Sequence, residues 1–158
     1  MNSKILSLSD LIQRADEIRR AGQKLVLTNG CFDLLHVGHV RYLQEARRLG
    51  DFLVVAVNGD QSVRQLKGEG RPLNSEEDRA EVLTALDCVN YVTIFPEARA
   101  TEVIKALRPA IYVKGGDYTL DSLNAEEAAA LKEVGAEIRT VALVPGKSTS
   151  KIIERLRQ

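Results

Sequence analysis

Cysteine is scarce in this chain of 158 residues: Cys31 and Cys88 stand alone, without C-x-x-C spacing. That pattern excludes a disulfide framework and a thiolate-rich zinc site. Long apolar runs are missing too. The longest, such as FLVVAV at 52–57, have the length of a buried strand and fall far short of a bilayer span. Charge of one sign is not in excess, since Lys plus Arg and Asp plus Glu both total 22. Nothing therefore points to a broad electrostatic surface for nucleic acid or for an anionic membrane, and any anionic ligand must be gripped locally. The first residues, MNSKILSLSD, lack the basic region, apolar run and cleavage site of a signal peptide. The expected setting is the cytoplasm, with no membrane and no nucleic acid as partner. Repeats, low-complexity tracts and linkers are also absent, so one domain over 1–158 is expected.

What is present is a chain 44% hydrophobic and 28% charged, apolar enough to bury a core. Two periodicities alternate along it. SLSDLIQRADEIRR spaces Leu8, Leu11, Ile12, Ala15 and Ile18 as a helix with Ser9 as cap. KLVLT (24–28) reads as a strand, and VRYLQEARRLG (40–50) as a helix closed by Gly50. DFLVVAV is the next strand, and SEEDRAEVLTALD (75–87) a helix capped by Ser75. Strand YVTIF (91–95), helix TEVIKALR (101–108) and strand AIYVKG (110–115) follow. NAEEAAALKEVG reads as a helix with Asn124 and Glu127 as a capping pair, before strand EIRTVAL (137–143) and a last helix from about Thr149 to Leu156. Short β-branched strands alternating with amphipathic helices imply an α/β fold with a parallel sheet covered on both faces. Its ligand crevice should lie beyond the carboxyl ends of the strands.

The chain's two histidines, His36 and His39, both fall in TNGCFDLLHVGHVRYLQEARRLG (28–50). They stand where the first strand gives way to a helix start, a place whose free N–H groups and dipole favour a phosphate. Gly30 lets the backbone approach a ligand and Gly38 leaves room between the imidazoles. The stretch reads as a phosphate cradle. Cys31, Asp33 and the histidines are all zinc-ligand types, but H-x-x-H lacks the spacing for two ligands on one helix face. The glycines of the loop are eight apart, which is not G-x-G-x-x-G, and PGKSTS near the end would need a glycine at Val141 to make a P-loop. Cys31 is read as an apolar filler rather than a nucleophile.

T-N-G-C-F-D-L-L-H-V-G-H resembles the signature of the H-x-G-H nucleotidyltransferase superfamily, which includes cytidylyltransferases for glycerol phosphate and phosphoethanolamine. The resemblance implies a Rossmann-like three-layer α/β/α fold with a parallel, mostly five-stranded sheet. In that family a second motif, with hydroxyls at the start of a late helix, meets the phosphates from the other side; here Ser148, Thr149 and Ser150 hold that position. VAVNGDQSVRQLKGEGRPLNSEEDRAEVL (55–83), IYVKGGDYT (111–119) and VPGKSTSKII (144–153) are similar to the branch that makes ADP-heptose from heptose 1-phosphate and ATP. Lys147 and Ser150 depart from that branch, which carries an aromatic or histidine and a threonine there. The stand-alone form is implied, with a separate sugar kinase supplying the substrate, and a homodimer.

The implied reaction is in-line attack of a sugar phosphate oxygen on the α-phosphorus of ATP, with no covalent intermediate, so catalysis is positioning and charge stabilisation. His36 and His39 are expected to donate to the triphosphate, and Lys67 and Arg71 to clamp phosphate as further catalytic groups. Thr28, Asn29, Gly30, Phe32, Asp33 and Gly38 are expected around the nucleotide, with Asp33 orienting a histidine or meeting metal through water. Lys114, Gly115, Gly116 and Asp117 end a strand and are expected near the adenine or ribose, while Asn58, Asp60 and Arg71 face the acceptor. Mg²⁺ is expected, held mainly through the ATP phosphates with no protein cage. A cytidylyltransferase acting on glycerol 3-phosphate, or a nucleotide-binding sensor without catalysis, fits the same motifs.

Overall fold

The computed structural model describes residues 3–116 and 122–158. In chain order the elements are α1 (Leu8–Arg20), β1 (Leu25–Gly30), α2 (Val37–Arg48), β2 (Phe52–Asn58), α3 (Asp60–Lys67), α4 (Glu76–Thr84) and β3 (Tyr91–Phe95). They continue with α5 (Thr101–Leu107), β4 (Ile111–Gly115), α6 (Ala125–Val134), β5 (Glu137–Val141) and α7 (Thr149–Leu156). The described strands form one five-stranded sheet in the order β3-β2-β1-β4-β5, and every pairing is parallel. After β3 the chain crosses back to the far side of β1, so the order reverses between β1 and β4. In such sheets that reversal opens a crevice at the carboxyl ends of the two strands.

Period-two alternation divides the core. Leu25 and Leu27 on β1, with Val54, Ala56 and Tyr112, face α1, α5 and α6, where Leu11, Ile18, Ile104, Leu107 and Leu131 are buried. Val26 and its neighbours Leu53, Val55, Val57 and Val113 face α2 and α4, meeting Leu43, Ala46, Ala80 and Leu83. Full burial of each such aliphatic side chain is worth about 1.5–3 kcal/mol, so the sheet is held from both faces. Among the described residues no helix is long and apolar enough to cross a membrane.

Several boundaries differ from those expected. Ser7 rather than Ser9 caps α1, accepting from the Asp10 N–H at 3.2 Å, because Leu8 is already packed against the core as part of the helix. β1 runs on through Asn29 and Gly30, because β2 is long enough to pair with both. The helix after it begins at Val37, not 40, so His36 is its N-cap and His39 lies in its first turn. Gly50 does not terminate that helix by a left-handed turn; Leu49 is the C-cap. Instead a Cβ on Gly50 would lie 2.7 Å from Val26 Cγ2 and 3.0 Å from the Lys24 carbonyl oxygen, so the glycine lets the α2–β2 turn close against the start of β1. A helix after β2, with Asp60 as a candidate cap, is also expected from the sequence; it is present as α3, but Gly59 is its N-cap and Asp60 lies in its first turn.

Gly50→Ala is expected to destabilise the fold by about 1–3 kcal/mol, the usual cost of forcing a methyl into a packed site. A fall in the urea midpoint at unchanged slope would record it.

Candidate active site

A cleft of about 510 Å³ lies over the carboxyl ends of β1 and β4. Two helix N-termini face it: α2, opening at His36, and α7, opening at Ser148. Each brings the positive end of its helix dipole to the cleft.

The histidines are held by the backbone. The Gly38 N–H donates to His36 Nδ1 at 3.1 Å, and the His36 N–H donates to His39 Nδ1 at 3.4 Å. A capping box of this kind ordinarily uses Ser or Thr with Glu; here imidazoles fill both roles. With each Nδ1 accepting, the proton of each neutral ring sits on Nε2. The rings are 4.0 Å apart between centroids, and Phe32 lies 5.3 Å from His39. Burial lowers the pKa of His36, helped by the nearby Lys147 ammonium, and burial with the neighbouring His36 lowers that of His39 to about 4. Both rings are therefore neutral at pH 7, and both are Nε2–H donors. Gly38 is small for a steric reason, since a Cβ there would sit 2.7 Å from the His36 ring. Gly30 likewise leaves space for Phe32, whose ring would be 2.9 Å from a Cβ.

Asp33 is buried, and its carboxylate accepts from Arg71 Nε (2.7 Å), the Leu73 N–H (2.8 Å) and the Asn74 N–H (3.0 Å). Burial alone would push its pKa up; those hydrogen bonds overcome the effect and hold it below the usual carboxylate range. Among the described residues Asp33 makes no hydrogen bond to either histidine, so its carboxylate orients Arg71 and the segment 71–74 instead. Arg71 and Lys67 both line the cleft.

Other expected residues divide cleanly. Asn29, Gly30, Phe32, Gly38, Asn58, Lys114, Gly115, Ser148, Thr149 and Ser150 line the cleft. The Ser148 hydroxyl caps α7, accepting from the Lys151 N–H at 3.0 Å. Thr149 donates to the Leu34 carbonyl at 2.8 Å and so clamps α7 to the loop before α2. Thr28 does not line the cleft: it is buried beneath, its hydroxyl 2.6 Å from that of Tyr42 and both 3.0 Å from the Val113 carbonyl. Burial pushes the Tyr42 phenol up to about 12, so it stays protonated. Asp60 also lies outside the cleft, accepting from Arg79 at 2.9 Å. Asp117 falls outside the described residues. Among the described residues no group of three or more His, Cys, Asp and Glu side chains is gathered to hold a metal, so the zinc alternative has no assembled ligand set.

Arg79 escaped the sequence reading and is, among the described residues, the largest fully buried side chain. Its guanidinium donates to the carbonyls of Cys31 (2.7 Å), Asn58 (2.8 Å) and Asn74 (3.0 Å) and to Asp60. The available signal was a charged residue on the inward stripe of α4, beside Ala80 and Leu83. Tyr42, Arg99 and Glu127 also line the cleft. Tyr42 was readable as an inward position of α2, Glu127 was hidden by its capping spacing, and Arg99 carried no signal.

A parallel α/β sheet whose strand-end cleft joins two helix N-termini, a donor pair of histidines and a hydroxyl-bearing helix start is the plan of a nucleotidyltransferase. The chain belongs to the cytidylyltransferase-like family, which it matches over residues 27–155. It is 48% identical over 155 residues to the bifunctional protein HldE of Geobacter sulfurreducens and 50% identical over 155 residues to that of Syntrophotalea carbinolica, covering 98% of this chain and 31% of the relative in both cases. The chain thus spans about a third of the length of these relatives. Among solved structures it is similar to the lipopolysaccharide core biosynthesis protein from Thermoplasma volcanium, with TM-score 0.64 and 27% identity, covering 78% of this chain and 98% of that one. Pantothenate synthetase from Thermus thermophilus shares the fold, with TM-score 0.60 and 16% identity over 89% of this chain and 62% of that one.

Two outcomes follow. Arg79→Met is expected to destabilise the protein by about 3–5 kcal/mol, because buried partners lose their only arginine, and urea unfolding reads it directly. Between about pH 6.5 and 4 the unfolded chain binds the His39 proton and the folded chain does not, so stability falls as pH drops through that window. His39→Gln should flatten this part of the urea-midpoint profile.

Proposed function

We propose that this chain transfers AMP from ATP to a heptose 1-phosphate, releasing pyrophosphate. The observation that carries the reading is the pair of neutral, backbone-tied imidazoles presenting Nε2–H donors at the start of α2, opposite the start of α7. A triphosphate laid between the two helix ends meets fixed donors on both sides. An oxygen of the sugar phosphate attacks the α-phosphorus as the bond to the pyrophosphate oxygen breaks. Donors already in place at the atoms gaining charge lower the barrier without reorganising. Arg71, with its guanidinium held by Asp33, and Lys67 stand on the cleft rim as cationic partners for phosphate. Exposed Leu143, packed against Gly115 and Gly116, forms an apolar shelf suited to a flat base.

Mg²⁺ would neutralise phosphate charge and enter with the nucleotide. The residues fit that mode of delivery: the Asp33 carboxylate is already occupied by Arg71 and two backbone N–H groups, and the metal would be held mainly through phosphates and water. The choice of heptose rests on the 55–83, 111–119 and 144–153 stretches, and on relatives about half identical in sequence. The acceptor itself is the product of a sugar kinase.

The test is pyrophosphate release with ATP or CTP, each paired with heptose 1-phosphate, glycerol 3-phosphate or phosphoethanolamine. Release is expected with ATP plus heptose 1-phosphate, and His36→Ala or His39→Ala should each lower kcat by about 10²–10³-fold. Turnover with CTP and glycerol 3-phosphate would replace the assignment, and ATP binding without release from any pair would make the domain a sensor.

A further inference from the structure

Glu127 occupies the third position of α6, where its spacing from Asn124 calls for a capping box. Half of the box forms: Asn124 Oδ1 accepts from the Glu126 and Glu127 N–H groups at 3.0 and 3.2 Å. The Glu127 carboxylate turns the other way, into the protein, and the residue is 3% exposed. Among the described residues its contacts there are all long: 3.4 Å from the Ala100 N–H, 3.4 Å from the Tyr112 hydroxyl and 3.8 Å from Lys114 Nζ. Asp33, equally buried, accepts at 2.7–3.0 Å from three groups. Two carboxylates at the same sheet end thus differ in kind: one is saturated and the other keeps lone pairs for something else. A buried charge so loosely satisfied is costly unless a ligand completes it.

The location says what that ligand is. Glu127 lines the main cleft together with Asn29, Asn58, Arg99 and Lys114, and also a smaller adjoining cavity of about 210 Å³. The free lone pairs of the carboxylate can be met only by a donor, so a bare anion is not the partner of Glu127 whatever Arg99 and Lys114 bind, and among the described residues no other His, Cys, Asp or Glu joins it to make a metal site. Neutral donors are left, and hydroxyls suit a wall that mixes a carboxylate acceptor with amide, guanidinium and ammonium donors, because each hydroxyl both gives and takes a hydrogen bond. His36 and α7, which Thr149 ties to the Leu34 carbonyl, and Leu143, which meets Gly115 beside Tyr42, stand over the sheet face that α2 covers, whereas Glu127 lies by Ala100 and Tyr112 on the face covered by α1, α5 and α6.

We propose that Glu127 is the specificity residue of the acceptor subsite, accepting hydrogen bonds from sugar hydroxyls, with Asn58 and Arg99 on the same wall. The proposal rests on the adenylyl-transfer reading for the identity of the sugar, and a binding measurement keeps the two separable. Heptose 1-phosphate is titrated calorimetrically into enzyme saturated with α,β-methylene-ATP and Mg²⁺. Glu127→Gln, the same shape with one acceptor lost, is expected to weaken sugar phosphate binding by about tenfold or more and to leave the affinity for α,β-methylene-ATP unchanged. Glu127→Asp, which keeps the charge but withdraws it by one methylene, should fall between; it serves as the second variant if the first does not fold. Deoxy analogues of mannose 1-phosphate should include one that binds the wild type about tenfold worse and Glu127→Gln no worse. Unchanged sugar affinity in both variants would overturn the proposal, as would loss of nucleotide affinity instead, which would mean that the carboxylate reads the ribose. Glu127-dependent sugar binding without pyrophosphate release would sink the transferase reading and leave the subsite standing; absence of sugar binding in the wild type would end both.

Discussion

The buried guanidinium of Arg79 is the interaction on which the functional end of the sheet depends. The loop leaving β1, the end of β2 and the segment entering α4 all present a backbone carbonyl there. One planar fork reaches Cys31, Asn58 and Asn74 together and still pairs with Asp60. Burying a charge is expensive, and oriented carbonyl dipoles plus one carboxylate offset the cost. A lysine has the charge but not the flat, multiply directed donors. With those three segments fastened, Asp33 lies within reach of the Leu73 and Asn74 N–H groups, and Arg71 is drawn over the cleft.

From that anchored frame the α2 side of the cleft acquires donors that carry no charge of their own. The histidines are neutral because they are partly desolvated and close together, and the backbone consumes one nitrogen of each. What remains is a pair of aimed N–H groups beside two helix dipoles. Such an arrangement loses little on standing empty and gains most when negative charge arrives, which is the requirement of differential stabilisation. Gly30 and Gly38 serve it sterically, by leaving the space that the Phe32 and His36 rings occupy. The two buried carboxylates complete the division of labour: Asp33 is wholly engaged in structure, whereas Glu127 faces the cleft with its hydrogen-bonding capacity largely unspent.

Much of this was legible along the chain. Alternating periodicities disclosed the parallel sheet and its helices, and the paired histidines at a strand-to-helix junction disclosed one wall of the cleft, because both are local patterns repeated or concentrated within a few residues. Ser75 and Ser148 were readable as helix starts for the same reason. Boundaries shifted where a partner intervened: β1 gained Asn29 and Gly30 because β2 extends beside them.

Sequence alone determined the fold class, the hydrophobic faces, the H-x-G-H motif and the hydroxyl-bearing helix start, since each depends on spacing within one element. Tertiary structure alone decided which polar groups meet across elements. It sent Thr28 beneath the cleft, gave Asp33 to Arg71 rather than to a histidine, tied Asp60 to Arg79 and turned Glu127 from a cap into the cleft wall. The physical reason is that a polar side chain takes the best partner within reach once the chain is packed, and reach between segments distant in the chain is set by the sheet's topology, which no local pattern encodes.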